Sequence, residues 1–453
     1  MSPAPQRARR VDQPRAAALA VLQAVRSDDA YTNLVLPGVL STFGLSGRDA
    51  GFVTELAAGT IRRRATYDAI LAACIDRPLR KVEATVLDLL RLGSHQLLSM
   101  RVPPHAAIST TVDLVRAKKG QGAAGFANAV LRSVSRRDLD SWLDELAPGD
   151  GPDDLAIRHS HPRWVVELLR EAAPDDDLDL LLAADNVSPR VTLVARPGLC
   201  ARSELPGEPT RLSPYGVVAE GGDPGAVPAV AEGRAGVQDE GSQLVAHALA
   251  TVPVTGSDGR WLDLCAGPGG KAALLAALAR QHGASLMAVE LHPHRAGLVE
   301  RNLAAVVAAG GDVRVVTADG TAAPFEPATF DRVLVDAPCS GLGALRRRPE
   351  ARWRRTPGDL DELVALQGRL LDSALSLVRP GGVVLYATCS PVLAETAGVV
   401  AAALDAHAEV TLEDVRPLMP GVTDADGPLD GTAQLWPHRH GTDAMFLALL
   451  RRS

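Results

Sequence analysis

Two cysteines in this chain sit where a thiol could do chemistry. Cys339 lies in Asp336-Ala337-Pro338-Cys339-Ser340-Gly341 and Cys389 in Thr388-Cys389-Ser390-Pro391. Both end apolar runs, FDRVLVDAP and GGVVLYATC, that read as β-strands. A buried cysteine is commonly a small core hydrophobe, but a thiol at a strand end flanked by Pro and Ser is a candidate nucleophile for covalent catalysis. It needs activation, because only the thiolate attacks and a free thiol has a pKa of about 8.5. The other three cysteines are Cys74, Cys200 and Cys265. An odd number at wide spacing forms no disulfide framework, and no Cys/His cluster has metal-ligand spacing. Neither disulfides nor a metal is expected. Cys74 and Cys200 read as inert, and Cys265 as a packing or backbone residue.

Cys265 opens a glycine loop, Cys265-Ala266-Gly267-Pro268-Gly269-Gly270-Lys271, between WLDLC and the helical pattern KAALLAALAR. Glycines let the backbone turn sharply and approach a ligand, and the helix start that follows presents free N–H groups. A phosphate-binding loop GxxxxGK[ST] fails, because 265 is Cys and 272 is Ala. A dinucleotide fingerprint is formally met by Gly267, Gly269 and Ala272. A loop cradling the methionine end of S-adenosylmethionine has the same geometry. Glu290, ending the next strand-like run, suits ribose hydroxyls in either of these two readings. Asp319 ends the third run and Asp336 the fourth. Nicotinamide enzymes have no need of two thiols at neighbouring strand ends. Asp263 is expected to brace the loop; Lys271 is either solvated or orients Asp336 or the loop.

The elements that must position these residues begin at Trp261, where short apolar runs alternate with helical ones. Such alternation predicts an α/β domain with a mostly parallel sheet covered by helices on both faces, and ligands bind beyond the carboxyl ends of such strands. AEVTLEDV and AMFLALL read as edge strands. Residues 12–140 carry apolar residues at helical spacing throughout; Pro14 suits a helix start, and Pro103 and Pro104 interrupt the pattern. Residues 141–187 are acidic, with the run Asp175, Asp176, Asp177, and read as a linker with short helices. VTLVARPG and scattered Gly and Pro over 190–240 suggest a small mixed α/β subdomain. The expected domains are therefore 1–140, 141–240 and 241–453. The net charge of −7 is split, +8 over 1–140 and −15 over the remainder, so the N-terminal part suits a polyanionic partner. No apolar run reaches the ~20 residues that span a bilayer. No apolar segment follows MSPAPQRARR, so no secretory signal is read. A cytoplasmic protein without membrane association is expected.

DLCAGPGGK, VDAPCSGLG and YATCS, in that order, resemble the RNA cytosine-5 methyltransferase family over about 230–453. VQDEGSQL at 237–244 looks like the segment that precedes that family's catalytic core. GTIRRRATYDAIL, LLRLGSHQLL and FANAVLRSV resemble the NusB-like RNA-binding domain. The combination is similar to the RsmB/Sun/Fmu family, which acts on 16S rRNA; other cytosine-5 members generally lack the helical domain. The resemblance implies an all-α NusB-like domain joined to a Rossmann-like class I methyltransferase domain. It implies S-adenosyl-L-methionine as cofactor, held by Cys265, Ala266, Gly267, Pro268, Gly269, Gly270, Lys271, Glu290, Asp319 and Asp336. Cys389 matches the nucleophile of the TCS motif. Cys339 matches the second cysteine, which helps release product. Asp336 would hydrogen-bond the cytosine edge and help protonate N3, which requires a raised pKa such as burial produces. Addition of a thiolate at C6 would make C5 nucleophilic enough to take a methyl group. There are two departures. The loop has Gly267 where the family more often has Ala, a permissive change expected to leave cofactor binding intact. The second strand ends in Glu290 where many relatives have Asp, and either carboxylate can hold a ribose diol.

The expected partner is RNA, 16S rRNA or a small-subunit particle, met by a monomer. The target base must leave its stack to reach the thiols. Arg346, Arg347 and Arg348 could clamp phosphates, and Trp353 could stack on a base or simply pack. Arg62, Arg63, Arg64, Lys118 and Lys119 are the candidate backbone contacts of the helical domain; Asn128 and Arg132 could be structural. The alternatives are a cytosine-5 methyltransferase of another RNA, a DNA cytosine-5 enzyme attacking through Cys339, and a non-catalytic RNA-binding assembly factor. The grouping of Glu290, Asp319, Asp336, Cys339 and Cys389 argues against the last. DAPC in place of an N/D-P-P-Y motif argues against amino-group methylation.

Overall fold

A computed structural model describes residues 12–27, 30–174 and 177–453. The basic start MSPAPQRARR, and Asp175 and Asp176 of the acidic run, lie outside the described residues. The chain divides into two compact units, Met1–Glu167 with Arg347–Arg354, and Leu168–Arg346 with Arg355–Ser453.

The first unit is helical: α1 (Gln13–Ser27), α2 (Thr32–Phe43), α3 (Gly47–Arg62), α4 (Arg64–Cys74), α5 (Ala84–Leu98) and α6 (Pro104–Val134), followed by shorter helices. Gly120, at φ +84°, breaks α6 into two helical stretches. Helix α5 is its hub, with almost every residue from Thr85 to Gln96 buried. Leu89, Leu90 and Leu92 supply apolar area, but α5 also takes Arg91, His95 and Gln96 inside, and buried polar groups need partners. Arg91 donates to both oxygens of Asp68, at 2.7 and 2.8 Å. His95 Nδ1 lies 2.7 Å from the Tyr67 hydroxyl, and Gln96 accepts from Arg15 at 2.6 Å.

The segment Arg347–Arg354 belongs structurally to this helical unit. Buried Glu350 accepts from the Thr32 N–H and hydroxyl, at 3.2 and 2.8 Å. Trp353 packs, its indole N–H donating to the Ile61 carbonyl at 2.9 Å. Arg348 lies over the Tyr31 ring. Among the candidate RNA contacts, Arg62 is buried and so cannot serve as a surface contact. Arg64 is exposed beside Asp68, Lys118 is exposed, and Lys119 is exposed while paired with Glu83 at 2.9 Å.

The second unit opens with a small antiparallel sheet of β1 (Thr192–Ala195), β2 (Glu208–Pro209), β3 (Gly216–Val218) and β4 (Ala235–Val237), in the order β2-β3-β1-β4. The main sheet contains β5 (Arg260–Asp263), β6 (Ser285–Glu290), β7 (Val313–Thr317), β8 (Phe330–Asp336), β9 (Val378–Thr388), β10 (Val410–Glu413), β11 (Ala433–Gln434) and β12 (Phe446–Arg452). Its order is β10-β12-β9-β8-β5-β6-β7, with β11 attached to β12. The pairings from β7 to β9 are parallel, and β12 runs antiparallel to both β9 and β10.

Strands covered on both faces read as continuous apolar runs. In β9, Val383, Leu385 and Ala387 pack with the helices Glu240–Thr251, Gly270–Gln281 and Pro293–Ala308. Val384 and Tyr386 pack on the opposite face with Pro357–Leu377 and Ala397–Ala406. The same two-sided burial explains a difference from the sequence expectation. AMFLALL supplies no edge strand: Phe446, Ala448 and Leu450 enter one core and Leu447 and Leu449 the other, so β12 lies inside the sheet and β10 takes the edge.

The helical unit yields a prediction. A Cβ on Gly59 of α3 would lie 2.3 Å from His95 Nε2, and the ring is tethered to Tyr67. Gly59→Ala should therefore destabilise the unit by about 1–3 kcal/mol, seen as a lower melting temperature by circular dichroism. An unchanged melting temperature would show that the ring has room to move.

Candidate active site

The main sheet changes direction at β5, which pairs with β6 on one side and β8 on the other. Such a switch point opens a crevice beyond the carboxyl ends of the strands. Asp263 ends β5, Glu290 ends β6, Asp336 ends β8, and Cys389 directly follows β9.

The glycine loop fills the first part of this crevice. Gly269 caps the helix Gly270–Gln281 at φ +111°, in the left-handed region that favours glycine. Asn302 donates to the Pro268 carbonyl at 3.0 Å and Arg295 to the Gly267 carbonyl at 2.8 Å, so the loop is braced from the helix Pro293–Ala308. Gly267 has a tighter constraint: a Cβ there would fall 1.9 Å from Glu290 Oε2. Glu290 is buried, accepts from the His292 N–H at 3.0 Å and has Arg295 at 3.5 Å. The two departures from the family pattern thus occupy one space, the longer Glu290 filling what a side chain at 267 would take. Asp319 is exposed and accepts from the Thr321 N–H and hydroxyl, at 2.9 and 2.8 Å, capping the turn after β7.

Asp263 is fully buried. One oxygen accepts from the Cys265 N–H at 3.3 Å, and the other has no hydrogen-bond partner among the described residues. Burial, reinforced by nearby Asp336, pushes its carboxyl up to about 7. Burial and the same carboxylates push the Cys265 thiol well above its ordinary value, leaving a neutral packing group. A tight glycine turn, a buried carboxylate at the next strand end and an acceptor lacking a donor fit a cofactor that carries a ribose and a cationic amino-acid end.

The thiols meet in the second part of the crevice, Cys339 Sγ lying 3.4 Å from Cys389 Sγ. The hydrogen bond to Cys389, with burial second, pushes the Cys339 thiol well above its ordinary value. Either sulfur can donate in this contact, and the rise in the Cys339 thiol favours its protonated form. Lys271 Nζ lies 2.9 Å from Asp336 Oδ2, deciding between the two readings of this lysine. Burial lowers the ammonium's pKa, but Asp336, followed by Cys389 and Asp263, more than offsets this and raises it. Lys271 thus stays charged. A thiolate at Cys389 has a nearby cation and an S–H donor, the activation that the sequence left unexplained.

Sequence reasoning passed over one buried acid. Glu395, six residues after Cys389, is fully inaccessible and accepts from the Ser340 N–H (2.7 Å), the Ser340 hydroxyl (2.5 Å), the Ser390 hydroxyl (2.6 Å) and Gln367 Nε2 (3.0 Å). Its only sequence signal is a lone carboxylate within the mostly apolar stretch PVLAETAGVV. Arg346 must be corrected. It is buried beside Asp239 (3.8 Å) and Asp443 (3.4 Å), so its charge braces the domain and is not offered to phosphates.

Comparison with known proteins agrees with this geometry. A family model described as 16S rRNA methyltransferase RsmB/F matches residues 251–451, and a NusB family model matches 12–136. A Mycobacterium tuberculosis protein provisionally named a methyltransferase is 51% identical, covering 98% of each chain. The ribosomal RNA small subunit methyltransferase B of Pseudomonas syringae is 36% identical, covering 86% of each. The crystal structure of PH0851 has the same fold, with a TM-score of 0.78 at 21% identity over 98% of this chain and 99% of that one.

Two predictions arise here. Gly267→Ala should weaken S-adenosylmethionine binding by about tenfold, roughly 1.4 kcal/mol, in calorimetry, and adding Glu290→Asp should recover most of the loss. Equal affinities for the single variant and the native protein would contradict the close approach. Asp263 gives a pH dependence. Its folded value, about 7, lies above the unfolded 3.8, so in that window the folded state binds more protons and stability falls as pH rises. Asp263→Asn should remove this slope, gaining stability relative to the native protein as pH rises from about 4 to about 7, as urea denaturation at about five pH values would show. Parallel pH profiles would mean Asp263 is ionised throughout.

Proposed function

The chain belongs to the RsmB/F family of rRNA methyltransferases and takes its methyl group from S-adenosyl-L-methionine, and from that premise we propose that it methylates C5 of a cytosine in 16S rRNA through a covalent bond between Cys389 and C6. The observation that carries this reading is the thiol pair, its sulfurs 3.4 Å apart, with the Lys271 ammonium acting on Cys389. The cation near Cys389 and the raised Cys339 thiol support Cys389 as the nucleophile. The same arrangement disfavours a DNA-type reaction through Cys339, whose thiol is pushed well above its ordinary value.

The residues divide the work. Cys265 to Lys271, Glu290, Asp319 and Asp336 hold the cofactor, which when bound supplies the electrophilic methyl group, and Asp263 braces the glycine loop. Cys389 adds to C6, which places enamine-like electron density on C5. Asp336 hydrogen-bonds the cytosine edge. Asp336 also helps protonate N3, and Lys271, 2.9 Å away, orients it. After methyl transfer, solvent water takes the C5 proton, the C6–S bond breaks to release Cys389 as a thiolate, N3 returns its proton, and the Cys339 S–H stabilises the departing thiolate. The helical unit supplies RNA backbone affinity, for which Arg64 and Lys118 are suitably exposed. The enzyme works as a cytoplasmic monomer on 16S rRNA or an assembling small-subunit particle.

Bisulfite sequencing of small-subunit rRNA from cells lacking the gene should show one methylcytosine lost; an unchanged map sinks the assignment. In vitro, Cys389→Ala should reduce methyl incorporation to background. Cys339→Ala should accumulate a protein–RNA adduct stable to detergent. An active Cys389→Ala variant would transfer the nucleophile's role to Cys339.

A further inference from the structure

We propose that Glu395 is a positioning residue that clamps the two cysteine loops into one unit and so fixes the contact between the Cys339 and Cys389 sulfurs; the inference rests on the cysteine chemistry proposed above. Cys339 follows β8 and Cys389 follows β9; the strand pairing ends at Asp336 and Ala387, short of both cysteines, and beyond it the loops share backbone bonds from the Ala337 N–H to the Ala387 carbonyl and from the Gly343 N–H to the Cys389 carbonyl, each 2.9 Å. The serines that follow each cysteine both turn inward to the same carboxylate oxygen, Glu395 Oε2, with their own oxygens 3.0 Å apart. The other oxygen takes the Ser340 N–H and Gln367 Nε2. Gln367 comes from the helix Pro357–Leu377 and also holds the Pro338 carbonyl at 2.9 Å, so the peptide before Cys339 is fixed as well as the one after it. The Tyr386 hydroxyl, from within β9, donates to the Glu395 carbonyl at 2.8 Å.

A fully buried carboxylate is costly, and apolar side chains of similar volume generally serve folding as well or better. An apolar residue here could fill the space. It could not draw donors from the β8 loop, the β9 loop and a helix onto a single group. The cost is intelligible if the geometry of the thiols is what the group secures. Its charge has a smaller effect: behind the hydrogen bond to Cys389, burial and the Cys389 charge, it helps push the Cys339 thiol up.

The test uses the full-length protein and two readouts. The first is kcat against KM for methylation. The second is the rate at which diamide oxidises the Cys339–Cys389 pair, followed by mass spectrometry. In that reaction two thiols lose two protons and two electrons to the diazene, which becomes a hydrazine, and one S–S bond forms. Ser340→Ala and Ser390→Ala each remove one hydroxyl and should lower kcat and the oxidation rate by about tenfold, with KM for S-adenosylmethionine within about twofold. Glu395→Leu should lower both rates about a hundredfold. Glu395→Gln should stay within about threefold of the native protein, because its amide can accept the two N–H donors and donate to serine hydroxyls turned round as acceptors. Should Glu395→Leu not fold, the serine variants carry the test. Native rates in the serine variants, or Glu395→Gln as impaired as Glu395→Leu, would overturn the clamp. If the native protein left C5 unmethylated while the variants still slowed oxidation, the functional reading would fail and the clamp would stand.

Discussion

The ion pair between Lys271 and Asp336 is the interaction on which the site depends. The switch point gathers Asp263, Glu290, Asp336 and two thiols at the ends of adjacent strands, and like charges so placed would raise one another's proton affinity. Lys271 opens the helix of the glycine loop, so its ammonium is delivered by the same turn that forms the cofactor cradle. One side chain then ties the loop to β8, offsets the carboxylates and supplies a cation to Cys389. A cofactor loop and a thiol site that lie far apart in sequence become one electrostatic unit.

Much of this was legible from residue order. Strand–helix alternation places motifs at the carboxyl ends of a parallel sheet by geometry alone, so Glu290, Asp336 and Cys389 could be assigned to one crevice before any coordinates. The N-terminal helices were equally plain, because apolar spacing is a local property. Local spacing also set the limit. An apolar run of strand length is the same string at an edge or in the interior, and only the pairing of β12 with both β9 and β10 distinguishes them. Clusters of arginine read as surface charge, yet Arg62 and Arg346 are buried, Arg346 beside acids about a hundred residues away on either side. The segment Arg347–Arg354 packs with helices about three hundred residues earlier in the chain. Glu395 escaped for the same reason: its four donors come from three elements, and no window around it contains more than one.

The polar groups that sequence reading missed have a common character. Each is buried, so each must be satisfied, and satisfaction is reached through tertiary neighbours. Reading for surface chemistry finds residues that contact ligands. It passes over those that hold such residues in place, and the second kind surrounds the thiols here.

The shared space of Gly267 and Glu290 bears on selective inhibition. A relative with alanine and aspartate in these places keeps its carboxylate one methylene further back and a methyl group in the gap. This enzyme has the reverse: a bare backbone and a carboxylate that reaches across it. Total volume is nearly conserved, so shape alone will discriminate poorly between the two kinds of site. The difference lies in where the negative charge ends, and an analogue with a cationic or donor group on the ribose edge would sense it.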